Sequence, residues 1–153
     1  MRIKLVKTDG TDLKSGEPNT VGYVNNLLHS MFSSLSVSLN GKPVTLHETN
    51  YHYKAYLEKL LNYGSVASGT HLVSSFWYLD SCSELKGNTG YATRLNYLSD
   101  SQTLELYGRL HADLFNSDKM LINGVDMNVK LTRAPEVLIS WLLQMIPKYV
   151  SKF

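Results

Sequence analysis

Five histidines, one cysteine and a scatter of carboxylates are the residues of this 153-residue chain that could carry chemistry. His47 and His52 stand five apart, His29 and His111 are isolated in sequence, and His71 sits in a polar run. A helical metal site sets two ligands at i and i+4 and takes a further one from a nearby cysteine or carboxylate. No histidine pair here has that spacing, so no metal site is expected. Cys82 lies in DSCSE, where flanking acids raise a thiol pKa instead of lowering it, and no catalytic cysteine signature surrounds it. Asp113 with Asp118, and Glu105 with Asp126, are the carboxylate pairs available for acid–base work. Each is more simply placed on the outer face or at the end of a strand. The stretch GSVASGTH, from Gly64 to His71, lacks the Lys-Ser/Thr ending of a phosphate loop. Tyr51, Tyr53, Tyr56 and Tyr63 offer rings for sugar stacking, but the helical spacing of Tyr53 and Tyr56 predicts packing. The expectation is a protein that is not an enzyme, with no cofactor and no catalytic, cofactor-binding or metal residue.

Composition narrows the partners. Fifteen basic against thirteen acidic residues give a net charge of +2, and the basic residues are dispersed. Nucleic-acid binding normally shows clustered Lys and Arg, so it is set aside. A chain of this size can bury about 68–70% of its unfolded surface, enough for one domain with a core of its own. A single cysteine excludes an internal disulfide and suits a reducing compartment. The opening MRIKLVKTDG has no apolar core region and predicts a strand, not a secretory leader. No run of eighteen apolar residues occurs, so no spanning helix is expected.

The elements that must position these residues follow from periodicity. Met1 to Lys7 alternates as a strand, and Thr8 to Thr20 is turn chemistry. Val21 to Ser33 predicts a short helix, with Asn25-Asn26 near its start. Leu35, Val37 and Leu39 then alternate with serines into Asn40-Gly41, the strongest short-range hairpin signal, and Val44 to Leu46 is the return strand. NYHYKAYLEKLLNY, residues 50–63, is the best helix, with Tyr53, Tyr56, Leu57, Leu60 and Leu61 as its apolar stripe and Gly64 as its stop. Phe76-Trp77-Tyr78 forms an aromatic patch for a core edge or a partner, and Asp80 to Tyr91 is loop. Leu104 to Phe115 alternates as a strand, as does Ile122 to Thr132 with Val125, Met127, Val129 and Leu131 inward; the two are expected to pair. This order predicts an antiparallel, mostly β sandwich or jelly roll.

Four of these stretches also occur, in the same order, in a known family. They are Val21-Gly22 with Asn25 and LLHSMFSSLSVSLNGKPV, then YHYKAYLEKLLNYG, GRLHADLF and INGVDMNVKLTRA. Over roughly Ile3 to Ala134 the chain resembles the hexon-like major capsid proteins of Polinton/Maverick elements and adintoviruses. The resemblance implies a mainly β chain: a partial, single jelly-roll β-sandwich with two short helices, derived from a double jelly-roll capsid protein. It also implies a structural role by self-association, three copies making a capsomer. Its motif residues here are Asn25, His29, Phe32, Asn40, Gly41, Tyr53, Tyr56, Gly64, Gly108, Arg109, His111, Asn123, Gly124 and Asp126. After Arg133 the sequence leaves the family pattern, so residues 1–135 are expected to form an incomplete capsid-type domain and 136–153 a divergent apolar tail, as in a truncated, integrated remnant. Expected partners are the chain itself or related capsid proteins. Expected locations are the virion, or the nucleus or cytoplasm for a remnant. The competing expectation is a host-adopted β-sandwich binding module, acting by capsid interference or by glycan or peptide binding. Leu28, Phe32, Val37, Leu39, Tyr56, Leu57, Leu60, Leu110, Leu114, Val129 and Leu131 are the expected core.

Overall fold

The structure is a computed structural model that describes residues 1–7, 10–14, 22–45, 49–82, 87–97, 99–134 and 149–152. Among these residues six strands and four α-helices follow one another. They are β1 (Arg2–Lys7), α1 (Leu27–Ser30), β2 (Phe32–Leu39), β3 (Lys42–Pro43), α2 (Tyr51–Asn62), α3 (Ser65–Ser68), α4 (Thr89–Asn96), β4 (Leu104–Glu105), β5 (Met127–Arg133) and β6 (Tyr149–Lys152). Short 3-10 turns stand at His71–Ser75, Ser99–Ser101 and Asp113–Asn116. Two three-stranded antiparallel sheets result, ordered β4-β1-β6 and β3-β2-β5. The architecture is therefore mixed α and β, with more helix than the two short helices expected. His47 and Leu46 lie outside the described residues, as does all of the expected tail except 149–152, which pairs with β1.

Local chemistry explains where the elements start and stop. The expected helix over 21–33 contracts to one turn because Asn26 sits in the left-handed region, at φ 58°. The Asn25 side chain enforces this: its Oδ1 accepts the N–H of Asn26 at 2.9 Å and that of Tyr78 at 2.7 Å. Such side-chain bonding competes with helix continuation. At the far end of β2, Asn40 and Gly41 both have positive φ, 48° and 77°, as a type I′ hairpin requires. The return strand is only Lys42–Pro43; Val44 and Thr45 both donate to the Val37 carbonyl, so Val44 stays 48% exposed.

The strand pairing differs from expectation. β5 pairs with β2, from Phe32↔Arg133 to Leu39↔Met127, and not with the 104–115 segment. A two-way clamp sets this register: Asn40 N–H donates to the Asp126 carbonyl at 2.8 Å, and Asp126 N–H to Asn40 Oδ1 at 2.9 Å. Only Leu104–Glu105 of the other segment is strand, zipped onto β1. Beyond it, Leu106 exchanges bonds with Met1, and Tyr107 N–H donates to the Ser74 carbonyl.

Two apolar clusters form the core. The larger gathers Ile3, Leu5, Leu13, Tyr23, Leu27, Met31 and Phe76 among others, and the smaller Leu35, Val37, Tyr51 and Ala112. Phe32 packs against both. Leu28, Leu110, Leu114 and Leu131 are half-buried against these clusters. Trp77, fully buried, and Phe76 show that the aromatic patch belongs to the interior. Leu57, Leu60 and Val129 are not core: they are 54%, 46% and 36% exposed. Met127 is exposed too, because β5 is a sheet edge and no described element covers that face. Leu35→Ala should therefore cost about 2–5 kcal/mol, as buried leucine truncations do. Leu61→Ala, at a site 78% exposed, should change stability by less than about 0.5 kcal/mol. Urea denaturation of the two variants checks both values.

Candidate functional site

Three of the four stretches that carry the resemblance meet, with the Ser75–Trp77 segment, at a buried polar seam, and the fourth lies against β2 as β5. α2 supplies three members of the seam. Tyr51, Ala55 and Lys59, one turn apart, are the residues of α2 that are fully buried. Ala55 is small enough to let the helix approach α1 and β2, and the two residues flanking it bring polar tips inside. The Tyr51 hydroxyl lies 2.9 Å from His29 Nδ1 on α1 and accepts the backbone N–H of His111 at 3.3 Å. The His29 and His111 rings meet edge to face with centroids 4.6 Å apart. His111 Nδ1 contacts Glu58 Oε2 at 2.6 Å, and Lys54 ties the same helix to Asp113 at 3.0 Å. Two histidines isolated in sequence are thus neighbours in space.

Lys59 is the unusual member. It is 3% exposed, yet its ammonium donates to neutral acceptors, Asn26 Oδ1 at 2.8 Å and Ser75 Oγ. The Trp77 ring centroid lies 5.8 Å from Nζ, within cation–π reach. Burial pulls the Lys59 pKa down to about 8. The same desolvation, helped by the positive charge of Lys59, pushes His29 down to about 2, so that ring is neutral. Desolvation lowers His111 as well, against the pull of Glu58. A lysine beside a serine suggests nucleophilic chemistry, but the Ser75 hydroxyl donates to the Leu72 carbonyl at 2.8 Å. Ser75 thereby presents lone pairs to the ammonium and is a structural acceptor.

Gly108 closes the seam. A Cβ there would stand 2.7 Å from Leu28 Cδ2 and 3.3 Å from His29 Nε2 and Ser75 Cβ, so any larger residue would have to push these side chains aside. Arg109 beside it donates to the Phe115 carbonyl and pins the 109–115 segment. Asn25 acts through the backbone bonds already described, and Asn40, Gly41 and Asp126 through the hairpin and its clamp. Asn123 lies in an exposed turn with Gly124, whose φ is 83°. Tyr56 packs on Trp77 with centroids 5.0 Å apart. Gly64 faces open space, and Tyr53 is 58% exposed, outside the seam. Sequence reasoning missed Lys59, Tyr51, Asn26, Ser75 and Trp77 as a group. The available signal was the i, i+4, i+8 spacing of Tyr51, Ala55 and Lys59, hidden beneath a stronger leucine pattern.

That leucine pattern faces outward. Tyr53, Leu57, Leu60 and Leu61 make one contiguous apolar strip on the solvent side of α2. A solvent-facing helix side normally carries polar residues. Among the described residues no group of three His, Cys, Asp or Glu side chains is arranged to hold a metal. No described helix is long and apolar enough to cross a membrane. Cys82 is exposed.

The neutral histidine has a consequence for acid stability. The unfolded chain takes up a proton near pH 6.5 that folded His29 refuses until about pH 2. Stability contributed by the neutral ring is therefore complete above pH 6.5 and declines as the pH falls below it. The expected slope from this group is about 1.4 kcal/mol per pH unit. His29→Gln should lower stability at neutral pH yet flatten this slope between pH 6 and 4. Chemical denaturation at several pH values checks it; equal slopes in the two proteins would place the proton uptake elsewhere.

Comparison with known proteins adds one sequence relative. The chain is 28% identical over 112 residues to an uncharacterized Caenorhabditis elegans protein, F54H12.2. The match covers 73% of this chain and 25% of the nematode protein, so the chain spans well under half the length of that relative. No protein-family model and no solved structure matches.

Proposed function

We propose that this chain is a structural, self-associating protein of the hexon-like capsid type, corresponding to part of the first jelly roll of a Polinton/Maverick or adintovirus major capsid protein. The observation that carries the reading is the outward apolar strip of α2, Tyr53, Leu57, Leu60 and Leu61. Exposed apolar patches of this kind mark contact surfaces. The strip lies on the segment YHYKAYLEKLLNYG, one of the four through which the resemblance runs. Those segments form a continuous unit, β2 on β5 with α1 and α2 packed beside them, which supports treating them as one inherited module. The open edge of β5 adds a second surface of the type used for strand-to-strand association. The match to one quarter of a longer nematode protein supports a place for such a module within a larger chain. In an assembled shell the strip would be covered by neighbouring copies.

Light scattering on the chain eluting from a size-exclusion column tests this. A discrete trimer or larger closed particle is the expected result. Leu57→Glu with Leu61→Glu should shift it to monomer while leaving the helical circular dichroism signal in place, since both side chains are exposed. A folded monomer at high concentration, unchanged by the double substitution, would overturn the proposal.

A further inference from the structure

Beside the polar seam is a cleft of about 400 Å³, bounded by the C-terminal half of α2, the 71–75 turn and the 107–111 segment. Lys59 and Ser75 form its floor, and Leu72, Leu110 and Tyr63 contribute apolar wall. An ammonium has three N–H donors. Asn26 Oδ1 and Ser75 Oγ take two of those of Lys59, and among the described residues the third has no acceptor. Nor does any carboxylate among the described residues stand within ion-pair distance of it. Glu58, the acid in the cleft lining, is engaged with His111 at 2.6 Å and with Lys54 at 4.0 Å. At the rim, Arg109 donates to a backbone carbonyl and likewise has no carboxylate partner among the described residues. A buried charge without a counter-charge is costly unless something pairs with it. The cleft thus combines a buried cation with no carboxylate partner among the described residues, a second cation at its mouth and apolar sides.

We infer that this cleft binds a carboxylate carried on an apolar body, with the Lys59 ammonium and the Arg109 guanidinium as its charged partners. A singly charged carboxylate suits one open N–H on the floor. A phosphate dianion is more strongly hydrated and would lose more on entering apolar walls. The chemistry is shared by a free aliphatic acid and by a peptide ending in, or presenting, a carboxylate. This site is separate from the outward strip of α2 and does not depend on self-association.

Calorimetric titration of the whole chain with sodium hexanoate is the test, with hexan-1-ol as the neutral control. Amide NMR shifts at Leu72, Ser75 and Gly108 locate the binding. Hexanoate should saturate with Kd of about 1 mM, and the alcohol should bind at least about tenfold more weakly. Lys59→Met should abolish binding. Because a change at a buried lysine can unfold the protein, Arg109→Gln is the second variant, and about a threefold to tenfold loss is expected there. The peptide acetyl-Ala-Leu-Leu, with a free or an amidated C-terminus, separates the two sources. Tighter binding of the free-acid peptide than of hexanoate assigns the site to peptide carboxylates, and the reverse order assigns it to free acids; either result supports the carboxylate site. Equal binding of hexanoate and hexanol, an unchanged affinity in Arg109→Gln, or no amide shift at about 50 mM hexanoate would overturn it.

Discussion

The Lys59 ammonium, held inside by Asn26, Ser75 and the face of Trp77, decides how α2 lies on the rest of the molecule. Residues two apart on a helix lie about 200° round from each other. With Lys59 buried, Leu57 and Leu61 must point away from the core, and they do, at 54% and 78% exposure. The alternative rotation would bury four apolar side chains and return a charge to water, which simple hydrophobic accounting favours. What opposes it is the inner surface, which is polar. His29, Asn26 and Ser75 line it, and a leucine packed there would strip their polar atoms of partners. The rotation of α2 and its outward strip are therefore one feature, set by the polar inner surface.

That coupling reaches back to single backbone conformations. Asn26 offers its Oδ1 to Lys59 from a left-handed residue, and Asn25 stabilises that turn by gathering the N–H groups of Asn26 and Tyr78. The Phe76 carbonyl accepts the Asn26 N–H at 3.0 Å, so the turn also ties α1 to the aromatic segment. Phe76 itself has a positive φ of 64°, the bend that sends Trp77 inward beneath the ammonium. On the other side, the absent side chain of Gly108 lets the 107–111 segment lie against His29. Asn25, Lys59 and Gly108 lie in three of the stretches that carry the resemblance noted in the sequence, and Asn26, Phe76 and Trp77 touch them. A polar core assembled from four separated segments constrains sequence more tightly than an apolar one, because each donor needs a matching acceptor.

Much of this was legible in the sequence where a signal is local. The Asn40-Gly41 turn, the Leu35–Leu39 part of β2 and the extent of α2 follow from turn chemistry and period, and α2 runs within one residue of expectation at each end, whereas β2 begins at Phe32, inside the expected helix. The signals that failed were those that require knowing the opposite surface. The stripe Tyr53, Leu57, Leu60 and Leu61 is a faithful amphipathic pattern, but periodicity cannot say which face meets the core and which meets a partner. The 104–115 alternation suggested a strand, yet Gly108 is used for close approach, and the pairing partner of β5 is β2. α4 escaped notice because the helix-start signal at Asn88, whose side chain accepts the Tyr91 N–H, was submerged in a loop-like run.

Among the described residues, the α2 strip and the β5 edge are exposed surfaces of different physical character. The α2 strip is apolar and convex, its association would be driven by loss of water, and it tolerates many partners that are merely apolar. The β5 edge offers backbone N–H and C=O groups in a fixed register, with Lys130 and Arg133 on the strand as charges that discourage indiscriminate pairing. A molecule with the first surface alone would aggregate without order. The Asn40–Asp126 clamp fixes β5 on β2, and a strand added to the free side of β5 would be held to one register by the face each of its side chains meets. On the proposed reading, apolar area would supply the attraction and the β5 edge the geometry of a repeated contact.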